Sequence, residues 1–409
     1  MATSSVDQTL HSASSFTGSI GVNTHVAYSW GNYSNLALME DDLKYLGVTK
    51  LRDALALSPN SQPVMNGLAA DGYQFDLIVS SSLPASGSSG LTQYLAQLDS
   101  FVKANPGSLI AVEGLNEANM QPFSYNGSSD VSAAAQFQMA LYTAIKGDAT
   151  LSGVSVYNLS LGYTDTNDYA KLGNLTAYSD YANSHAYAAT TTTPAAALAT
   201  HLGDAESVVS GKPTVITETG YSTLSSWQYL GVDQAVQAKS ILNTLADAFK
   251  EGVTTTYLYE LLDHGTDAGS KMGLFNADGT PKLAATAIHN LTTILADDGT
   301  GGSTPTAKLG YGLSGLPSSG NSMVLTKSNG AYDLVVWAEP KIWDDATDSE
   351  VAVATSQVTV NLGGIHHSVL VYDPMSGTSP IASYIDVSQI VLPLSDHPLI
   401  IEIDAPARA

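Results

Sequence analysis

Apolar residues in this chain fall into two alternating textures. Short β-rich apolar runs begin near Ile20, Val48, Phe75, Leu109, Val154, Tyr181, Thr214 and Thr255. Between them lie segments with helical period. Leu91, Tyr94, Leu95, Leu98, Phe101 and Val102 share one helical face, and Asn105-Pro106 stops that helix. Ala235, Ala238, Ile241, Leu242, Leu245 and Phe249 form a second stripe, with Gly252 as its C-cap. Leu36, Met39, Leu43 and Leu46 repeat the pattern before Gly47. Each gap between strands has room for a loop, a helix and a return, which predicts parallel pairing.

Eight such units predict an α/β fold, a closed (β/α)8 TIM barrel over residues 18–296. Beyond Asn290 the texture changes. A turn-rich linker over 297–307 (Asp297-Asp298-Gly299-Thr300-Gly301-Gly302-Ser303-Thr304-Pro305 at its core) leads into short β-type runs. These are Ser322–Lys327, Tyr332–Trp337, Val351–Asn361, His367–Asp373, Ile390–Pro393 and Pro398–Ile403. They predict a C-terminal antiparallel β-sandwich domain over 308–409. The segment 1–17 is expected to pack on that sandwich, with Gln8–Thr17 adding a strand.

Composition narrows the function classes. The chain is 44% hydrophobic and 13% charged, which makes it globular rather than disordered. Lys and Arg total 15 against 38 Asp and Glu, a net charge of −23, so no basic surface exists for nucleic acid. The absence of cysteine removes disulfides, thiolate metal sites and cysteine nucleophiles. No window approaches the ~18 apolar residues of a membrane span. The small, polar start from Met1 to Ser15 and the low lysine content predict a secreted or periplasmic protein whose signal peptide is absent from this chain.

The candidate chemistry lies at strand ends. The fourth run ends in Val112-Glu113-Gly114-Leu115-Asn116-Glu117 and the seventh in Thr214-Val215-Ile216-Thr217-Glu218. A barrel strand that delivers a carboxylate at its C-terminal tip is building an active site. Two carboxyls facing one another are the machinery of glycoside hydrolysis, with one protonated and one ionised. Asn116 is placed to hydrogen-bond a sugar 2-OH. Arg52 ends the second strand and can hold Glu218 ionised. His185 and Tyr187 end the sixth, offering an imidazole to the acid and a phenol to the nucleophile. His25 ends the first strand and Glu260 the eighth. Trp30, Phe123, Tyr125, Tyr221 and Trp227 follow strand ends and are candidates for stacking on sugar faces. Trp337 and Trp343 are expected in the interdomain packing or core. His366-His367 is not read as a metal site, because adjacent strand residues point to opposite faces. No metal or cofactor is implied.

This constellation resembles clan A of the glycoside hydrolases, over about residues 18–295. The attached sandwich makes it most similar to glycoside hydrolase family 39 and related bacterial exopolysaccharide hydrolases, with family 5 as the rival. The resemblance implies a retaining enzyme acting on a carbohydrate, with Glu117 as acid/base and Glu218 as nucleophile, supported by Arg52, Asn116 and Tyr187. One departure is visible: Tyr259 and Glu260 stand where many clan members have a Trp at the end of strand eight. The alternative reading is a non-catalytic carbohydrate-binding protein on the same scaffold.

Overall fold

The computed structural model describes residues 10–163, 165–297, 299 and 304–404. Most of the turn-rich core of the 297–307 linker, and Gln8 and Thr9, lie outside the described residues. Strand β1 (His11–Ser12) precedes eight parallel strands: β2 (Ile20–Asn23), β3 (Lys50–Ala54), β4 (Gln74–Val79), β5 (Leu109–Leu115), β6 (Ser155–Tyr157), β7 (Ala182–His185), β8 (Thr214–Thr219) and β9 (Thr255–Leu258). They run in the order β6-β5-β4-β3-β2-β9-β8-β7. The cylinder closes between β6 and β7, where the Asp180 amide donates to Val156 O at 2.8 Å and the Asn158 amide to Tyr181 O at 3.1 Å. Every residue of β2, β7 and β9 is buried, as expected of parallel strands covered on both faces.

Inside the barrel, Ala111, Tyr157, Val215 and Tyr257 form a small apolar floor. Gly21 is required there: a Cβ would meet the Tyr257 ring at 2.5 Å. Above this floor the interior turns polar, with Asn23, Arg52, Asp76, Glu113, Asn183 and Thr217 all buried. Outside, the helices follow the predicted stripes. Leu36–Leu46 ends at Gly47 in the left-handed region (φ 71°), and Gln234–Lys250 is followed by Gly252 at φ 84°.

The remaining strands are β10 (Gly312–Ser314), β11 (Gly320–Thr326), β12 (Tyr332–Ala338), β13 (Trp343–Asp344), β14 (Ser349–Glu350), β15 (Ser356–Tyr372), β16 (Ala382–Leu394) and β17 (Leu399–Ile403). Except for the β13–β14 ribbon, they make one hydrogen-bonded sheet that folds over its own apolar face. The two expected runs Val351–Asn361 and His367–Asp373 are corrected: β15 is a single strand, with a register shift between Asn361 and His366 and Gly363 at φ 72°. Among the described residues of the expected N-terminal strand, His11–Ser12 pairs parallel to Leu325–Thr326, and Ala13–Thr17 is helical instead.

The other face of this sheet rests on the helices Gln234–Lys250 and Leu283–Ile294. Trp337 is fully buried there and its Nε1 donates to Asp247 Oδ1 at 2.8 Å. Met323, Leu325, Val335, Trp337, Trp343 and Ile400 join the barrel's own apolar cluster. Lys239 bridges Asp396 at 2.9 Å, and Lys327 Nζ donates to Ile294 O at 2.8 Å. Both tryptophans thus serve the seam rather than a carbohydrate surface. Among the described residues no helix is long and apolar enough to cross a membrane.

Candidate active site

Arg52 organises the mouth of the barrel. Its Nε and Nη2 donate to Glu113 at 2.6 and 2.9 Å, and Nη1 donates to Glu218 Oε1 at 2.6 Å and to Asn23 Oδ1 at 2.8 Å. Nη2 also donates to Asn116 Oδ1 at 2.7 Å. The five N–H groups of a guanidinium are then all engaged. Burial works against the charge, yet Glu113 and Glu218 hold the Arg52 guanidinium charged well beyond its ordinary range. Glu113 is fully buried and also accepts from Asn183 and Thr217. Burial would raise its pKa, but Arg52 lowers it, while burial and the neighbouring Glu113 push Asp76 far up.

Glu218 ends β8 with each oxygen held, Oε1 by Arg52 and Oε2 by the Tyr187 hydroxyl at 2.8 Å. Glu117 follows β5 in the left-handed region (φ 42°), an unfavourable conformation for a side chain with a Cβ. It is fixed there because its amide donates to Ser160 Oγ at 3.0 Å. Gly162 makes the room beside it: a Cβ there would collide with Met120 Sδ and stand 3.2 Å from the Glu117 carboxyl.

His185 Nδ1 lies 3.1 Å from Glu117 Oε1 and 3.4 Å from Glu218 Oε2. One side-chain oxygen each of Glu117 and Glu218 and a ring nitrogen of His185 lie within 4.8 Å of one another. Burial disfavours an imidazolium at His185, but Glu218 and Glu117 outweigh it and raise the pKa. Burial likewise opposes ionisation of Glu117, and the bond to His185 outweighs that, so its carboxyl sits below the ordinary range. The opposed shifts draw a proton shared by the two groups toward the ring.

Glu260 is fully buried and receives the Tyr33 hydroxyl at 3.1 Å. His25 and His264 flank it at 3.0 and 3.2 Å. Against its burial these imidazoles hold Glu260 below the ordinary range, and Glu260 in turn raises His264. Both this trio and the Glu117–His185–Glu218 trio are spaced closely enough to ligate a metal ion.

The other expected residues divide. His25 and Trp30 border the cavity over strands β2–β4, and Trp227 the cavity over β6–β8. Tyr259, in the place of the clan's Trp, borders both, and its peptide bond to Glu260 is cis. Tyr125 and Phe123 border neither: Tyr125 packs edge-on against Phe137 (centroids 5.5 Å) and Phe123 is buried in the core. Loop aromatics beside an apolar helix bury themselves when they can. Tyr221 is buried toward the sheet-domain seam. Sequence reasoning missed Glu113 and Asp76, and also Tyr28, Tyr163 and Tyr229 on the rims. The one available signal was electrostatic: a buried Arg52 needs more than one counter-charge, and Glu113 was in the segment already singled out.

No family model and no curated protein matches this sequence. Solved structures do. A family 39 glycoside hydrolase from the gut symbiont Bacteroides cellulosilyticus WH2 aligns with a TM-score of 0.65 at 13% identity, covering 95% of this chain and 82% of that one. A monomeric beta-xylosidase from Caulobacter crescentus CB15 aligns at 0.62 and 14%, covering 95% and 96%. A glucosidase from Croceicoccus marinus aligns at 0.60 and 11%, covering 90% and 92%. At these identities the likeness is one of architecture, and on it the chain has the fold of the clan A, family 39-like glycoside hydrolases, a (β/α)8 barrel with an appended antiparallel sheet domain.

Proposed function

We propose that the protein is a retaining glycoside hydrolase that cleaves β-glycosidic bonds by double displacement. The observation that carries this reading is the approach of Glu117 and Glu218 oxygens within 4.8 Å at the mouth of the barrel. Inverting enzymes hold their carboxyls about 6.5–9.5 Å apart to admit water, whereas direct attack needs about 5–5.5 Å. In the first step a Glu218 oxygen bonds to the anomeric carbon. The C–O bond electrons pass to the leaving oxygen, which takes the proton of the Glu117–His185 pair. In the second step water attacks the same carbon, its proton returns to Glu117, and the ester to Glu218 breaks. Asn116, held by Arg52, is positioned for the 2-OH, where a hydrogen bond strengthens in the transition state. The fold shared with glycosidases supports the same reading.

Glu218→Ala is expected to lower kcat on a 4-nitrophenyl β-glycoside by at least roughly 10³-fold without changing the Tm by more than a few degrees. Glu117→Ala should retain turnover only with good leaving groups, and azide should restore it as a β-glycosyl azide. Near-wild-type turnover by Glu218→Ala would overturn the assignment. Intact oligosaccharide binding with no turnover of any glycoside would favour the non-catalytic alternative.

A further inference from the structure

Two cavities leave the carboxylate pair in opposite directions. One, of about 320 Å³, runs over β2–β4 and is bordered by His25, Tyr28, Trp30, Asp53 and Asn116. The other, of about 220 Å³, runs over β6–β8 and is bordered by Glu117, Tyr163, Tyr187, Trp227 and Tyr229. Glu218 and Tyr259 border both. A proton donor has to reach the leaving oxygen, and Glu117 borders only the second cavity. The leaving part of the substrate therefore lies there, and the part attacked by Glu218 lies in the first, beside Asn116 and Arg52.

Each cavity ends in exposed aromatic surface rather than a wall. Tyr28 (54% exposed) and Trp30 (43%) stack at 5.0 Å and 25°, and Trp30 also packs on His25 at 4.7 Å. Asp53 braces this loop by accepting from Thr24 Oγ1 at 2.6 Å and from the Val26 amide at 2.8 Å. On the far side Tyr163 (58% exposed) and Trp227 both pack against Tyr229, with centroids 6.0 and 5.9 Å apart. Exposed rings held at both ends of a groove suit the C–H faces of consecutive pyranoses. Charge limits what those pyranoses carry. Among the described residues bordering the two cavities, Arg52 is the sole Lys or Arg, and its N–H groups are all taken. A uronate or sulfate ester in either cavity would meet Asp53 or Glu117 with no free Lys or Arg to receive it, and the bordering His185 is already engaged by Glu117 and Glu218.

We infer that the site binds an interior segment of an uncharged β-linked polysaccharide and cuts it internally. The non-reducing side lies on the Tyr28–Trp30 shelf and the reducing side lies against Tyr163, Trp227 and Tyr229. This rests on the glycosidase reading above, and the experiment separates the two. 4-Nitrophenyl β-glycosides of xylose, glucose, mannose and galactose first establish which sugar is turned over. The matching neutral polymer (xylan, β-glucan, mannan or β-1,4-galactan) is then compared with alginate and hyaluronan. We expect the neutral polymer's mean mass to collapse before monosaccharide appears, and kcat/KM on its hexasaccharide to exceed that on the aryl glycoside by about tenfold or more. Trp30→Ala and Trp227→Ala should each cost the hexasaccharide about tenfold more than the aryl glycoside. Stepwise release of single sugars, equal losses on both substrates, or preferred cleavage of alginate or hyaluronan would overturn this inference and leave the glycosidase reading standing. Failure on every aryl glycoside and every polymer would overturn both.

Discussion

Two buried carboxyl pairs of this molecule, one at the barrel mouth and one at the seam with the sheet domain, are held in opposite ways. At the barrel mouth Glu113 and Glu218 stay beside a guanidinium whose N–H groups are all occupied. At the seam between barrel and sheet domain, Asp247 meets Glu339 with Trp337 Nε1 as a neutral donor. Burial, and then Glu339, push the Asp247 pKa up to about 9, so this pair keeps a proton instead of a counter-ion. At the mouth Glu113 keeps its charge beside a fixed cation. Charge discharged at the seam lets two apolar surfaces close. The comparison teaches that burial alone does not decide a carboxyl's state: a cationic side chain in direct contact does.

The largest effect should come from removing Arg52. Arg52→Met leaves Glu113 and Glu218 buried without compensation and is expected to cost about 3–5 kcal/mol in urea unfolding, with loss of turnover. Arg52→Lys, which restores the charge but not the fork, should recover only part of the stability. Equal stability of Arg52→Met and wild type would erase the distinction between the two regions.

A smaller effect tests the shared proton. The alkaline limb of kcat/KM, measured on an oligosaccharide whose leaving group needs the acid, should lie above the ordinary imidazole value of about 6.5. His185 is raised, so activity is present while the pair is protonated and is lost as pH rises through that raised value. In His185→Gln the proton must sit on Glu117 alone, and the limb should move acidward by roughly one unit or more. An unmoved limb would remove His185 from the pair.

The smallest effect is at the seam. Asp247 binds its proton more tightly folded (about 9) than an ordinary carboxyl near 3.8. Its contribution is therefore complete below the lower value and falls as pH rises through the window between them. Asp247→Asn keeps an acceptor for Trp337 and removes the ionisation. Its Tm should exceed wild type by roughly 2–4 °C at pH 8.5, and the gap should close toward pH 4.5. A constant gap across pH would show that Asp247 is not held protonated.

How much of this was legible follows from where each residue sits. Parallel strands buried on both faces are apolar throughout, so the runs beginning at Ile20, Leu109 and Thr214 coincide with β2, β5 and β8. Strand-end polar residues stand out against such runs, which is why Arg52, Asn116, Glu117, His185, Tyr187 and Glu218 were readable, and the structure gathers all six at one mouth. Glu113 was hidden because a carboxylate inside a barrel strand looks like an exception in the pattern until its partner on β3 is known. Tyr125 misled because a loop aromatic does not reveal whether it faces the cleft or folds back on Phe137. In the sheet domain, Gly363-Gly364 reads as a turn, yet cross-strand pairing continues past it as a bulge in β15. The Ser383–Gln389 stretch of β16 escaped notice because much of it is exposed and lacks an apolar run.

The most direct test of the central claim is the configuration of the first-formed product, followed by NMR during hydrolysis of the 4-nitrophenyl β-glycoside turned over fastest. If Glu218 displaces the leaving group and water then displaces Glu218, the β-anomer appears first and the α-anomer grows in only by mutarotation. An α-anomer formed first would mean a single displacement by water, and the two-glutamate covalent mechanism would be wrong.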